Sequence, residues 1–266
     1  MKNLNMSYKT DAFSFIGVKK KVNQDALIIK QAKTADGGNV CMACLCDGMG
    51  GLSQGEVASA TFVKRMDEWF KNELPRVLMP SDITEDLTQE MDAYSHYWGQ
   101  IKAQWQGIIQ KTNERLMRYG EDRGIELGTT VVAIIIINDE YMVMNVGDSR
   151  AYELDERRIK LLTHDHSYVQ REMDLGNMTL EEAQNSNKKS LLLQCVGASE
   201  VVIPDFYQGY ANTPHKFLLC SDGFWRKLED DEMIEVCKQQ NGLEKLTDAV
   251  VARGETDNIS SLLISV

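Results

Sequence analysis

Four aspartates stand where a carboxylate is costly unless something compensates it. They are Asp25 in Asn23-Gln24-Asp25, Asp47 in Asp47-Gly48-Met49-Gly50-Gly51, Asp222 in Ser221-Asp222-Gly223, and Asp257 in Asp257-Asn258. Each lies next to a strand-like run and beside glycine, glutamine or asparagine, not inside a helical pattern. An ionised carboxylate at the end of a buried strand demands a cation or several donors. A glycine beside it lets the backbone come close to a bound group, so that its carbonyl can also serve as a ligand. Oxygen-only donors select hard cations, Mg²⁺ or Mn²⁺, over zinc or copper. Clustered carboxylates repel one another strongly with no cation between them. Two such cations about 3.5–4 Å apart can hold a bridging hydroxide and the oxygens of a phosphate, so no serine, cysteine or histidine nucleophile is required. Asp-Gly alone is an ordinary turn signal. The metal reading rests on the four aspartates recurring together.

The elements that must position them follow from the hydrophobic pattern. Residues 12–18 and 26–30 read as strands, separated by Lys19-Lys20-Lys21 and the Asn-Gln-Asp segment. The turn signal Asp36-Gly37-Gly38-Asn39 makes 40–46 the hairpin partner of 26–30. Antiparallel pairing would then bring Asp25 and Asp47 to the same edge. Ser53 and Glu56 open a helix over 56–74, with a stripe of Val57, Ala60, Val63, Met66, Trp69 and Phe70, and Pro75 ends it. Pro80-Ser81-Asp82 restarts helix over 83–119, broken near Gly99, with Trp98, Ile101, Trp105, Ile108 and Ile109 as its stripe. Gly128-Thr129-Thr130 opens a β run over 131–137, followed by strands at 141–146, 151–154 and 158–162. Ser167 caps a helix over 168–176, and Thr179-Leu180-Glu181-Glu182 is a capping-box start for another. Strands at 201–210 and 216–220, helices at 230–240 and 243–253, and a closing strand at 261–266 complete the chain. The arrangement suits an α+β fold of two packed antiparallel sheets with helices outside.

The bulk properties narrow the class. A net charge of −11 argues against nucleic acid or an anionic membrane surface as partner. No segment has the apolar length of a membrane span, and residues 1–10 lack a signal-peptide core, so the protein is expected in the cytoplasm. Of six cysteines, Cys41, Cys44, Cys46, Cys220 and Cys237 sit in apolar runs, as free core thiols do in a reducing compartment. No second cysteine pair or histidine cluster follows Cys41, Cys44 and Cys46 at zinc-finger spacing. His164 and His166 are explained by a strand-to-helix turn.

The motifs together resemble the metal-dependent serine/threonine protein phosphatases of the PPM (type 2C) family, in particular its compact bacterial members. The resemblance is carried by Asn23-Gln24-Asp25, Asp47-Gly48-Met49-Gly50-Gly51, Gly128-Thr129-Thr130, Asn145-Val146-Gly147-Asp148-Ser149-Arg150, Thr163-His164-Asp165-His166-Ser167, Ser221-Asp222-Gly223 and Asp257-Asn258. They occur in the family's order and span nearly the whole chain. The resemblance implies one domain over 1–266, a four-layer α-β-β-α sandwich with two metals, Mn²⁺ or Mg²⁺, at one end of the sheets. It implies that Asp47 bridges both metals, that the Gly48 carbonyl binds one of them, that Asp222 and Asp257 complete the other shell, and that Asp25 acts through a bound water. A third, weaker metal would use Asp148 and Asp222. Residues 166–202 would be the variable flap that influences substrate choice. The implied substrate is a phosphoserine or phosphothreonine protein made by a serine/threonine kinase, and the implied state is a monomer.

The chain departs from the family pattern in three places. Lys20 stands where an arginine usually grips the substrate phosphate; it keeps the charge and loses the bidentate fork. Met49 stands where many eukaryotic members have a histidine. Arg226 stands where many members have an aspartate that helps the third metal, and sets a positive charge there instead. Two other readings stay open on the same fold: a non-catalytic phosphoprotein-binding or regulatory module, and a phosphatase for small phosphate esters.

Overall fold

The computed structural model describes residues 8–34, 37–49, 54–79, 90–211, 215–239 and 241–266, and of residues 90–96 and 237 the backbone alone. In chain order the elements are β1 (Lys9–Phe15), β2 (Asp25–Lys33), β3 (Asn39–Met49), α1 (Gly55–Asn72), α2 (Leu74–Val77), α3 (Glu90–Glu121), β4 (Gly128–Thr129), β5 (Val131–Ile137), β6 (Glu140–Val146), β7 (Arg150–Leu154), β8 (Ile159–Leu161), α4 (Tyr168–Asp174), α5 (Leu180–Asn185), β9 (Asp205–Tyr210), β10 (Lys216–Cys220), α6 (Asp222–Trp225), α7 (Asp230–Met233), α8 (Gly242–Ala252) and β11 (Ile259–Ser265). One sheet has the order β1-β11-β10-β7-β8; the other runs β2-β3-β5-β6-β9, with β4 pairing β3. The ladders are antiparallel. Among the described residues no helix is long and apolar enough to cross a membrane.

The continuous apolar runs are explained by the layers. Along β5, Val131, Ala133, Ile135 and Ile137 enter a core shared with α1 and α3, while Val132, Ile134 and Ile136 enter the core between the sheets. β3 divides the same way: Met42, Cys44 and Cys46 face the helices, and Cys41, Ala43 and Leu45 face the other sheet. In the second sheet, Phe217, Leu219, Leu262 and Ile264 face the first sheet, while Leu218, Cys220, Ile259 and Leu263 pack under α6–α8. A strand buried on both faces alternates between two apolar environments, so its sequence loses the polar half of the period. The result is helix, sheet, sheet, helix, the four-layer α+β sandwich expected. The cysteines Cys41, Cys44, Cys46, Cys195 and Cys220 are buried and free.

Several boundaries differ from the sequence expectation. The α1 stripe is largely as expected: Met66, Trp69 and Phe70 are buried and Val57 and Val63 pack against the core, while Ala60 is exposed and Ala58 and Phe62 are buried in addition. Pro75 does not simply stop the chain; it opens the short helix α2. α3 runs straight through Gly99, which faces open space, and its expected stripe is buried as read, with Trp105 edge-on to Trp69 at 5.4 Å. β1 and β9 are displaced or shorter than read. The helix expected over 230–240 is α7 followed by a tighter helical turn, Ile234–Cys237. Asp36, Gly50, Gly51, Ser53 and the helix restart at Pro80-Ser81-Asp82 lie outside the described residues, as does the side chain of Cys237.

Candidate metal centre

The β2–β3 register sets Asp25 directly opposite Asp47. Leu27 and Ile29 on β2, and Ala43 and Leu45 on β3, pack between the sheets. The period of two therefore turns both aspartates toward the second sheet. From that sheet, β10 and β11 pair with Cys220 opposite Ser261, which delivers Asp222 and Asp257 to the same end. Ser221 ties the two sheets together there. Its hydroxyl donates to Asp25 Oδ2 at 3.2 Å, and its N–H donates to the Ser260 carbonyl at 3.0 Å.

Asp47 is aimed by its backbone. The Thr130 N–H and the Thr129 hydroxyl both donate to the Asp47 carbonyl at 2.9 Å, and the Asp47 N–H donates to Thr130 Oγ1 at 3.1 Å. Thr130 Oγ1 in turn lies 2.7 Å from Ser149 Oγ. The Gly-Thr-Thr and Gly-Asp-Ser-Arg segments thus act on the same strand end. Gly48 must be glycine for steric reasons: a Cβ there would sit 2.3 Å from the Gly55 carbonyl oxygen and 2.5 Å from that of Gln24.

Asp257 is bound by Lys20, whose ammonium lies 2.5 Å from Oδ1. Asn258 carries the loop that presents Lys20. Its Oδ1 accepts from the Gln24 N–H at 3.0 Å, and its Nδ2 donates to the carbonyls of Ile16 at 2.7 Å and Val22 at 3.2 Å. Asp148 and Asp222 are bridged by Arg226, with Nη2 2.8 Å from Asp148 Oδ2 and Nη1 2.7 Å from Asp222 Oδ2.

The sequence profile of Protein phosphatase 2C matches residues 18–262. The chain belongs to that family. It is similar to the serine/threonine phosphatase stp of Listeria monocytogenes, at 31% identity over 233 residues that cover 85% of this chain and 84% of the relative. The structure of the serine/threonine phosphatase Stp1 from Staphylococcus aureus superimposes with a TM-score of 0.79 at 25% identity, covering 100% of this chain and 97% of that one. The catalytic domain of PstP, solved in complex with two manganese ions, shares the fold with a TM-score of 0.72 at 24% identity, covering 97% of both chains.

The electrostatics of this 2C-type site fit a cation. Burial, then repulsion from Asp222 and Asp257, pushes the Asp25 carboxyl up to about 7 against the hydrogen bonds from Ser260 and Ser221. Burial, then the charges of Asp25, Asp222, Asp148 and Asp257, raises Asp47 far above the usual carboxylate range. Asp222 is also raised by burial, against the pull of Arg226. Asp25 Oδ1 and Asp222 Oδ1 are buried with no hydrogen-bond partner, which native structures rarely tolerate. Two orphaned carboxylate oxygens among mutually repelling acids are what a hard cation relieves. Among the described residues no three acidic, histidine or cysteine side chains already converge as a closed ligand set. Lys20 and Arg226 hold Asp257 and Asp222 instead.

Ser167 caps α4, as the turn reading of this segment expected; of the two histidines before it, His164 is exposed and pairs with Asp174, and His166 is largely covered. The Gln170 N–H donates to Ser167 Oγ at 3.2 Å, and His166 Nε2 lies 3.0 Å from Asp205 Oδ2. Sequence reasoning placed Ser221 and Asn258 inside motifs, Ser221-Asp222-Gly223 and Asp257-Asn258, without giving either side chain a role, and it did not single out Ser260. The trace of Ser260 was a pair of serines, Ser260 and Ser261, early in the last strand.

Proposed function

We propose that this 2C-family chain is a metal-dependent protein phosphatase that hydrolyses phosphoserine and phosphothreonine monoesters. The observation that carries the reading is the juxtaposition of Asp25 and Asp47, register partners facing a second sheet whose Asp222 also leaves an oxygen unpartnered. Asp47, Asp222, Asp257 and the Gly48 carbonyl hold the divalent cations, and Asp25, oriented by Ser221, orders water beside them. Two Mn²⁺ or Mg²⁺ bound there supply the charge that offsets the developing phosphoryl negative charge and make water acidic at neutral pH. Lys20 leaves Asp257 to donate to a phosphate oxygen. Its single ammonium makes a point contact, not the paired contact of guanidinium. Residues 166–202 flank the site and select the substrate. The substrate is a phosphoprotein made by a serine/threonine kinase, and the enzyme acts as a cytoplasmic monomer of one domain.

The test is hydrolysis of p-nitrophenyl phosphate and of a phosphothreonine peptide with Mn²⁺, Mg²⁺ or EDTA. Turnover of both with Mn²⁺ or Mg²⁺ and none with EDTA is expected. Hydrolysis of p-nitrophenyl phosphate alone would favour a small-ester phosphatase. No turnover of either, with retained phosphopeptide binding, would favour the non-catalytic module.

A further inference from the structure

Arg226 sits one helical turn beyond Asp222, and its N–H donates to the Asp222 carbonyl at 3.0 Å. That turn folds the side chain back over the carboxylates. The guanidinium reaches Asp222 with one nitrogen and Asp148 with the other, in a pocket where the Asp148 side chain is only 7% exposed. Asp148 is itself fixed: the Trp225 indole N–H donates to its carbonyl at 3.0 Å. Arginine does not lose its proton in proteins, so the positive charge there is permanent. The remaining donors face the other way. Nη1 donates to Ser190 Oγ at 3.0 Å and Nη2 to the Lys189 carbonyl at 3.4 Å. One side chain therefore joins two buried aspartates to the turn at 186–191.

We propose that Arg226 is a resident cation that fills the Asp148–Asp222 pair, closes it to a third divalent ion, and pins the 166–202 segment against the metal end of the sheets. The proposal rests on the metal-dependent reading above. The donor set that the family resemblance implies for a third metal does not fit one here. Both carboxylates already have a cation between them, and a divalent ion entering would face that fixed charge at contact distance with doubled repulsion. The guanidinium is covalently part of the chain, so it cannot leave the pair as a bound ion can.

The test counts bound Mn²⁺ at matched free Mn²⁺, by electron paramagnetic resonance, for the parent, Arg226→Ala, Arg226→Lys and Asp148→Asn. Arg226→Ala should bind one Mn²⁺ more than the parent, and Arg226→Lys and Asp148→Asn the same number as the parent. In EDTA, amide exchange over 186–191 should quicken about tenfold or more in Arg226→Ala, as expected when two hydrogen bonds to a surface turn are removed. Equal counts for parent and Arg226→Ala, an ion lost in Asp148→Asn, or unchanged exchange over 186–191 would each overturn the proposal. If Arg226→Ala does not fold, the Asp148→Asn count decides. A protein that gives the expected counts but hydrolyses no phosphoester would sink the functional reading and leave this one standing. Turnover accompanied by an ion held by Asp148 would do the reverse.

Discussion

The Lys20 ammonium lies 2.5 Å from Asp257 Oδ1, so the one lysine of the triplet aimed at the site is also the counter-ion of a candidate metal ligand. Its bond to Asp257, and the charges of Asp47 and Asp222, raise its pKa even though partial burial acts to lower it. It stays charged through the neutral range. Lys20→Ala should lower kcat/KM on a phosphothreonine peptide about tenfold, the low end for a charge-assisted hydrogen bond because the side chain is 37% exposed. Lys20→Arg should equal or exceed the parent, and Lys19→Ala and Lys21→Ala should change little. Three indistinguishable alanine variants would show that the triplet is only a solvated loop.

Asp47→Asn, Asp222→Asn and Asp257→Asn should each abolish turnover and leave the far-ultraviolet spectrum intact, because each removes a charged ligand from a hard-cation site. Parent-like turnover in all three at saturating Mn²⁺ would exclude a binuclear centre.

The metal-free protein should gain stability as pH falls from 8 toward 5. A carboxyl raised in the folded state, as Asp25 is to about 7, binds its proton in the fold before the unfolded chain does. Its contribution is therefore fully present below the unfolded pKa and is lost as pH rises through about 7. Thermal melts in EDTA should show the gain. Millimolar Mn²⁺ should raise Tm most at pH 8, where the repulsion is largest, and much less in Asp47→Asn. A Tm in EDTA that fell steadily from pH 8 to 5, or equal Mn²⁺ shifts in both proteins, would contradict this.

Gly48→Ala should cost both stability and activity. Its Cβ would meet two backbone oxygens that cannot rotate away, so β3 and the start of α1 must separate and carry Asp47 with them. A loss of about 1–3 kcal/mol, typical of overpacking, is expected by urea unfolding, with a fall in Mn²⁺ affinity. Gly99→Ala on the open face of α3 is the control, and should be neutral or stabilising by up to about 1 kcal/mol.

Asn258→Ala should destabilise the protein by about 2–4 kcal/mol, because it leaves the Ile16 and Val22 carbonyls and the Gln24 N–H without their partner. It should also raise KM, since those bonds hold the loop bearing Lys20. A variant as stable as the parent would show that the loop keeps its shape without them.

The sequence by itself determined most of the strands, the antiparallel pairing of 26–30 with 40–46 and the position of the four aspartates next to strand ends. A strand buried on both faces writes itself as an uninterrupted apolar run, and the Asp-Gly breaks after 40–46 and 216–220 mark where that burial ends. It even placed Asp25 near Asp47, since a hairpin's pairing is local. Only the tertiary structure decided what those carboxylates touch. The Ser221 bond to Asp25, the Lys20 bond to Asp257 and the Asn258 clasp on residues 16–24 join segments far apart in the chain. No periodicity encodes the packing of one sheet on another. Arg226 is the plainest case. Its sequence position announced a positive charge, but its bridging of Asp148, Asp222 and the 189–190 turn depends on three segments meeting at one corner of the fold. On α1 the sequence stripe caught Met66, Trp69 and Phe70 but took Ala60 in place of Ala58 and Phe62 for a related reason: several apolar stripes fit one helix, and the sheet chooses among them.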